Sequence, residues 1–396
     1  MNATYRRANL KRIVEIVVSP TVFLATIWVL QFFAYTFFDT GVDAPSMTTW
    51  TVVFAGIVAF SAGAGIATVL QPRKTVLEEM DISLSRSGAI LIKISIPFAI
   101  VSAAILVYRT NDQGLGLLST LKADLLEESS SGNKSSVFFV YVIILNALCV
   151  LYYCNTVNFM NRKSTMLLVA LTAILCLFSG SRALLIFFIV ALFPALIFHQ
   201  KKITLKATAM IILAAAVAFA FFFAYPILFQ SFDVGSDGGT SLKNYLSVYL
   251  FSGIGAFGHF INTGEPSYQC MLTIPRPFMW LTDFIISSNL HEACPVSFHE
   301  VDIPLNTNVY SIFFTPMHDF GFGGVAAYLF ILGLIVNFTY LRGFFSNRVA
   351  WRFIYCIFFF SIFMSFFEDQ FARGFIYYFF ATVVLAFTWL IRKLSG

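Results

Sequence analysis

The residues best placed for chemistry in this chain are three arginines, Arg182, Arg276 and Arg373, the dipeptide His318-Asp319, and Glu300. A guanidinium offers a planar fork of donors that pairs two phosphate oxygens at once. Arg182 directly follows Ser179-Gly180-Ser181, small residues that let a partner approach the backbone, at the end of an apolar run. Arg276 lies between Pro275 and Pro277, which restrict the backbone and would pre-orient the side chain. Arg373 stands at the same level but follows Glu368 and Asp369, where a local ion pair would explain it equally well. Arg109, beside Asn111 and Asp112, reads as a plain interfacial anchor.

An imidazole or carboxylate at a membrane boundary can take a proton from a hydroxyl nucleophile. Neighbouring helical residues point apart, so His318 and Asp319 are not expected to pair with each other. Asp319, just before Phe320-Gly321, is placed to cap a helix, which leaves His318 as the chemical residue. Glu300, Asp302, His299, Glu292 and His291 crowd the preceding segment as rival bases. No CxxC pair, HExxH, phosphate-binding loop or dinucleotide fingerprint occurs in a credible context. No ligand spacing singles out a metal, and metal-independent chemistry is expected, with arginines as the counter-charge.

The elements that must position these groups are membrane helices. With 59% hydrophobic and 11% charged residues, 48 of them phenylalanine among the apolar set, the chain has too little polar surface for a water-soluble globule. Ten spans can be read at roughly 13–38, 50–70, 89–108, 137–155, 164–179, 183–199, 206–228, 320–341, 350–367 and 373–391. With both termini cytoplasmic, the inner pieces hold 17 of the 25 basic residues, as the positive-inside rule requires. The formal net charge of +5 then divides into +14 inside and −9 outside, and is a product of topology rather than of nucleic-acid affinity. The first apolar run is too long for a cleavable signal, so span one is expected to be retained.

Two outer connections are long, at about 109–136 and 229–319. This divides the chain into an N-terminal bundle of about seven spans (1–228), a large loop (229–319) and a C-terminal bundle of about three spans (320–396). Within the loop, Tyr245–Phe251 reads as an interfacial helix running into a flexible stretch at Gly253, Gly255 and Gly258. Pro275, Pro277, Trp280 and Asp283 read as a rigid aromatic turn. A helical pattern at Asn308–Phe314 is expected to stop before Pro316. Cys149, Cys154, Cys176 and Cys356 lie in spans as small hydrophobes, whereas Cys270 and Cys294 share the outer loop. A disulfide between the latter two would close a loop of about 25 residues, worth about 3 kcal/mol.

The short Ser179-Gly180-Ser181-Arg182 turn, the late outer loop, and Asn306-Thr307-Asn308-Val309-Tyr310 followed by His318-Asp319-Phe320-Gly321-Phe322-Gly323-Gly324 resemble the Wzy-type O-antigen and repeat-unit polysaccharide polymerases of bacterial inner membranes. The resemblance implies an all-α polytopic integral membrane protein of about 10 transmembrane helices with one large periplasmic loop. It also implies a membrane-embedded glycosyltransferase. Its donor and acceptor would be undecaprenyl pyrophosphate-linked oligosaccharides, its surroundings membrane lipids, and a chain-length regulator protein a candidate partner. No nucleic acid and no cofactor is implied. Arg182, Arg276 and Arg373 would hold the pyrophosphate at the periplasmic face. His318, Asp319 or a loop carboxylate such as Glu300 would take the acceptor proton in an inverting displacement. A ligase using the same donor is the close alternative; a flippase or transporter is the distant one, and would require ionisable residues deep within spans.

Overall fold

In a computed structural model the chain is described at residues 18–71, 88–93, 96–97, 100–101, 134–157, 163–178, 182–199, 242–265, 267–286, 298–304, 306–345 and 348–395. It is a helical protein. The helices are α1 (Pro20–Phe37), α2 (Met47–Leu70), α3 (Lys134–Thr156), α4 (Lys163–Phe178), α5 (Arg182–His199), α6 (Leu242–Thr263), α7 (Arg276–Ile286), α8 (Phe314–Phe345), α9 (Val349–Phe363) and α10 (Phe375–Ser395). Among the described residues a short hairpin pairs β1 (Val301–Asp302) with β2 (Asn306–Thr307), Val301 opposite Thr307. Among the described residues, five helical stretches, Pro20–Phe37, Met47–Leu70, Phe314–Phe344, Val349–Phe366 and Phe375–Leu394, are long and apolar enough to cross a membrane. Shorter apolar helices lie at Val140–Thr156, Lys163–Cys176 and Ala183–Phe198. The span expected at 206–228 and most of that at 89–108 lie outside the described residues.

Helix α9 is apolar on every side apart from Arg352 and Ser361, both buried, and it packs in the middle. Phe353, Cys356, Ile357 and Phe360 face a core shared with α3, α4, α5 and α10. Tyr355, Phe359 and Ile362 face a second core, shared with α1, α2, α6, α7 and α8. The second core takes in Ile254, Phe257, Leu272, Met279, Phe298 and Ile303, so the described parts of 229–319 pack against the membrane helices themselves.

The tightest helix pair is α2 against α8. A Cβ built on Gly63 would overlap the Phe330 carbonyl oxygen, and one on Gly333 would overlap that of Phe60. The two backbones touch, which only glycine permits. Asn337 secures the crossing by donating to the Ala64 carbonyl at 2.7 Å and to Thr68 Oγ1 at 3.0 Å.

Several local expectations are corrected. Gly253, Gly255 and Gly258 are not a flexible stretch; they lie inside α6, where Gly253 abuts the Phe366 carbonyl and Gly255 meets Val42 and Ile303. Gly253 and Gly255 are small because neighbours come close, not because the chain bends. The stretch from Arg276 to Asp283 is a helix rather than a turn, since prolines at and just before the first helical turn cost no hydrogen bond. The stretch 308–313, expected to be helical, is irregular chain, and helix begins where it was expected to stop. Pro316 sits in the first turn of α8, where its missing N–H has no intrahelical partner anyway. This helix starts six residues before the expected span and is broken at Gly321, whose φ of 65° and ψ of −155° set the short segment 314–320 apart.

Candidate functional site

The segment 314–320 carries the site because two loops are tied to it. Asp319 reaches one of them: Oδ1 accepts the Leu272 amide at 2.9 Å, and Oδ2 accepts the Thr273 amide and hydroxyl, each at 2.7 Å. The Tyr268 amide donates to His318 Nε2 at 3.0 Å. Nε2 therefore holds the lone pair, and the neutral ring carries its proton on Nδ1, which lies 2.8 Å from Asp319 Oδ1. Both ring nitrogens are engaged within the protein, and the side chains of His318 and Asp319 are only 8% and 0% exposed.

The expectation that these neighbours point apart is thus corrected. About 100° separates them around the helix, but the imidazole is long and both side chains turn to the same loop at 268–273. Nor does Asp319 cap its own helix, which began a turn earlier; its acceptors are used by amides 46 and 47 residues away.

The second loop leads to Arg373. Asp369, 1% exposed, accepts the hydroxyls of Thr315 at 2.6 Å and Tyr328 at 2.8 Å through Oδ2. Its Oδ1 accepts the amides of Phe371 at 3.0 Å and Ala372 at 3.3 Å. The turn is thereby fixed to α8 on both sides of the Gly321 break, and Arg373 leaves it from a set position. Arg373 Nε meets Glu368 Oε1 at 2.6 Å, and its guanidinium lies over the Phe298 ring at 4.1 Å. Phe298 packs in turn on Tyr310, Phe314 and Tyr268. His299 donates its amide to the Tyr268 hydroxyl at 2.9 Å and stacks on that ring.

Burial sets the electrostatics. It pushes the Glu368 carboxyl above its ordinary range, with Arg373 opposing and Asp369 reinforcing. It likewise raises Asp369, against the two hydroxyls and two amides that favour the charged form. Burial also raises the Tyr268 phenol, offset in part by the His299 amide and the Arg373 charge.

The other expected site residues fall as follows. Arg182 opens α5 and Arg276 opens α7; of their side chains nothing is described. Their backbones are nonetheless located through neighbours. Phe187, five residues beyond Arg182, stacks on Tyr377, four beyond Arg373, at 4.3 Å. Phe278, two beyond Arg276, meets Phe375, two beyond Arg373, at 5.1 Å. Three segments far apart in sequence thus begin their helices around the start of α10. Glu300 is exposed, two residues past Phe298, and accepts from the Asn306 amide at 2.9 Å. Asp302 and His299 are also described, whereas His291 and Glu292 lie outside the described residues. Cys270 is disulfide-bonded, and Cys294, the partner expected for it, lies outside the described residues. Cys149, Cys154, Cys176 and Cys356 are buried and outside any disulfide. Among the described residues no group of three or more His, Cys, Asp and Glu is placed to hold a metal ion.

Sequence reasoning missed Tyr268, Thr273, Thr315 and Tyr328. Nothing local marks an aromatic or a hydroxyl residue as the partner of a histidine or carboxylate some forty to fifty-four positions away. Asp369 left a trace as half of an acidic pair in a short turn, but the pair divides its work: Glu368 takes the arginine and Asp369 takes the hydroxyls.

Compared with protein-family models, with curated proteins and with solved structures, the chain finds no match.

Proposed function

We propose that this protein is a membrane-embedded glycosyltransferase that polymerises oligosaccharide repeat units carried on undecaprenyl pyrophosphate, at the periplasmic face of a bacterial inner membrane. What supports the reading is that the helices opened by Arg182 and Arg276 pack, through Phe187 and Phe278, against the first turn of the helix that follows Arg373. Guanidinium groups at a membrane boundary can pair the oxygens of a diphosphate and offset its charge.

The reaction would be one displacement with inversion. The acceptor hydroxyl oxygen bonds to the anomeric carbon as the bond from that carbon to the pyrophosphate oxygen breaks. The hydroxyl proton passes to a carboxylate, and the arginines stabilise the charge that builds on the departing diphosphate. Glu300 suits the role of acceptor better than His318, because it is exposed and His318 would first have to release the Tyr268 amide. In this reading His318 and Asp319 hold the loop in place and Asp369 holds Arg373. Arg373 would exchange its Glu368 partner for phosphate.

The test is deletion of the gene followed by gel analysis of surface glycan. Loss of a polymerase leaves single repeats attached to their lipid acceptor. Loss of a ligase leaves none attached, and loss of a flippase strands precursor in the cytoplasm; either result would overturn the reading. Arg182→Ala should abolish long chains while the protein still inserts, and lysine there should rescue poorly because a point charge lacks the fork.

A further inference from the structure

Helix α7 has its polarity the wrong way round for a segment in water. Met279 and Asp283, one turn apart, are buried at 5% and 8% exposure, while Phe278, Leu281, Phe284 and Ile285 lie outward at 48%, 48%, 79% and 69%. These four form one stripe at helical spacing. The helix is too short to cross a bilayer, since 11 residues rise only about 16 Å against about 30 Å of hydrocarbon.

The stripe does not end with α7. Phe278 packs edge-on against Phe375 at 5.1 Å, and Phe375 against Phe379 at 6.4 Å. From there an exposed row continues along α10 through Phe379, Val383, Phe387, Leu390 and Leu394. Because α10 is long and apolar enough to cross a membrane, a bilayer around it would meet that row. The outward face of α7 continues the same apolar surface at the end where α10 enters the bilayer.

We propose that α7 is an interfacial helix that lies in the plane of the membrane, with Phe284 and Ile285 in the acyl–headgroup boundary and Asp283 turned inward to the protein. Its partner is the lipid surface. A helix of this kind sinks its apolar face about 5–10 Å into the boundary. The consequence is positional: Arg276, at the head of this helix, is set at headgroup level, where a lipid-borne anion travels. The placement of α7 stands whatever reaction the protein performs.

The experiment attaches a nitroxide to Phe284→Cys and, separately, to Ile285→Cys in the full-length protein, in vesicles of phosphatidylcholine and phosphatidylglycerol. Cys149, Cys154, Cys176 and Cys356 are buried, and unsubstituted protein gives the labelling background. Accessibility to dissolved oxygen and to a water-soluble nickel chelate is compared with labels at Glu265→Cys, an exposed loop position, and Val383→Cys, on the α10 row. Both α7 labels should be reached by oxygen several-fold better than the Glu265 label and by nickel several-fold less. Nickel access equal to that of the Glu265 label would show the face in water and overturn the proposal. Exclusion of both reagents would also overturn it, by showing that protein, such as a second copy of the chain, covers the face.

Discussion

Replacing Asp319 by asparagine changes no shape, yet it should release the loop at 268–273. The carboxylate accepts two backbone amides, one hydroxyl and the His318 Nδ1 proton, all between 2.7 and 2.9 Å. An asparagine must put an NH2 group in place of one oxygen. In the Oδ1 position it would face the Leu272 amide and the His318 proton, and the imidazole cannot change tautomer while Nε2 accepts from Tyr268. In the Oδ2 position it would face the Thr273 amide, while the Thr273 hydroxyl can turn and accept. The second arrangement is cheaper, leaves one buried amide opposed by a donor, and weakens the remaining bonds by removing the charge. Together these cost about 2–3 kcal/mol, which at tenfold per 1.4 kcal/mol is a roughly 30- to 140-fold increase in local opening. Hydrogen exchange of the backbone amides of Tyr268, Leu272 and Thr273, followed by mass spectrometry in nanodiscs, reads that opening directly. Exchange within twofold of wild type in a folded variant would refute the view that Asp319 is the anchor of this loop.

Three further outcomes follow from the same geometry. Gly63→Ala or Gly333→Ala forces α2 and α8 apart, and either should lower the thermal midpoint in detergent by several degrees, whereas Gly65→Ala, with open space around its added carbon, should not. For Glu368, burial raises the folded carboxyl above its unfolded value, so the folded state holds that proton more tightly. Acidification through the raised value therefore neutralises Glu368, frees Arg373 from it and favours the folded form; the burial cost is fully present only above that value. Inorganic pyrophosphate should bind wild type more tightly as pH falls, relative to Glu368→Gln, which should bind tightly throughout; parallel pH profiles for the two proteins would contradict this. Peptide mapping without reduction should recover a cross-linked pair containing Cys270 and Cys294, and recovery of Cys294 as a free thiol would redirect the search for the Cys270 partner.

Much of this protein is written locally. Long apolar runs bounded by charge dictate membrane helices because each such run must satisfy its own backbone in lipid. The helices at 47–70, 134–156, 163–178 and 182–199 accordingly fall close to where the apolar stretches lie. Arg373 beside Glu368 was equally legible, since a cation five residues from an acid in a tight turn can scarcely avoid it. Where the outcome depends on a neighbour far along the chain, the sequence is silent or misleads. Gly253 looked like flexibility and is close packing, because the Phe366 carbonyl that fills the space lies more than a hundred residues on. Pro316 looked like a stop and is a start, because the helix it opens is held from outside by Asp369 and the loop at 268–273. His318 and Asp319 looked divergent and are bonded, because both are aimed at a shared partner that helical periodicity does not encode. Hydropathy determined that the long apolar segments are helices; only the packed structure, in which each buried polar group must find an acceptor or donor wherever one exists, decided the shorter elements and which residues meet.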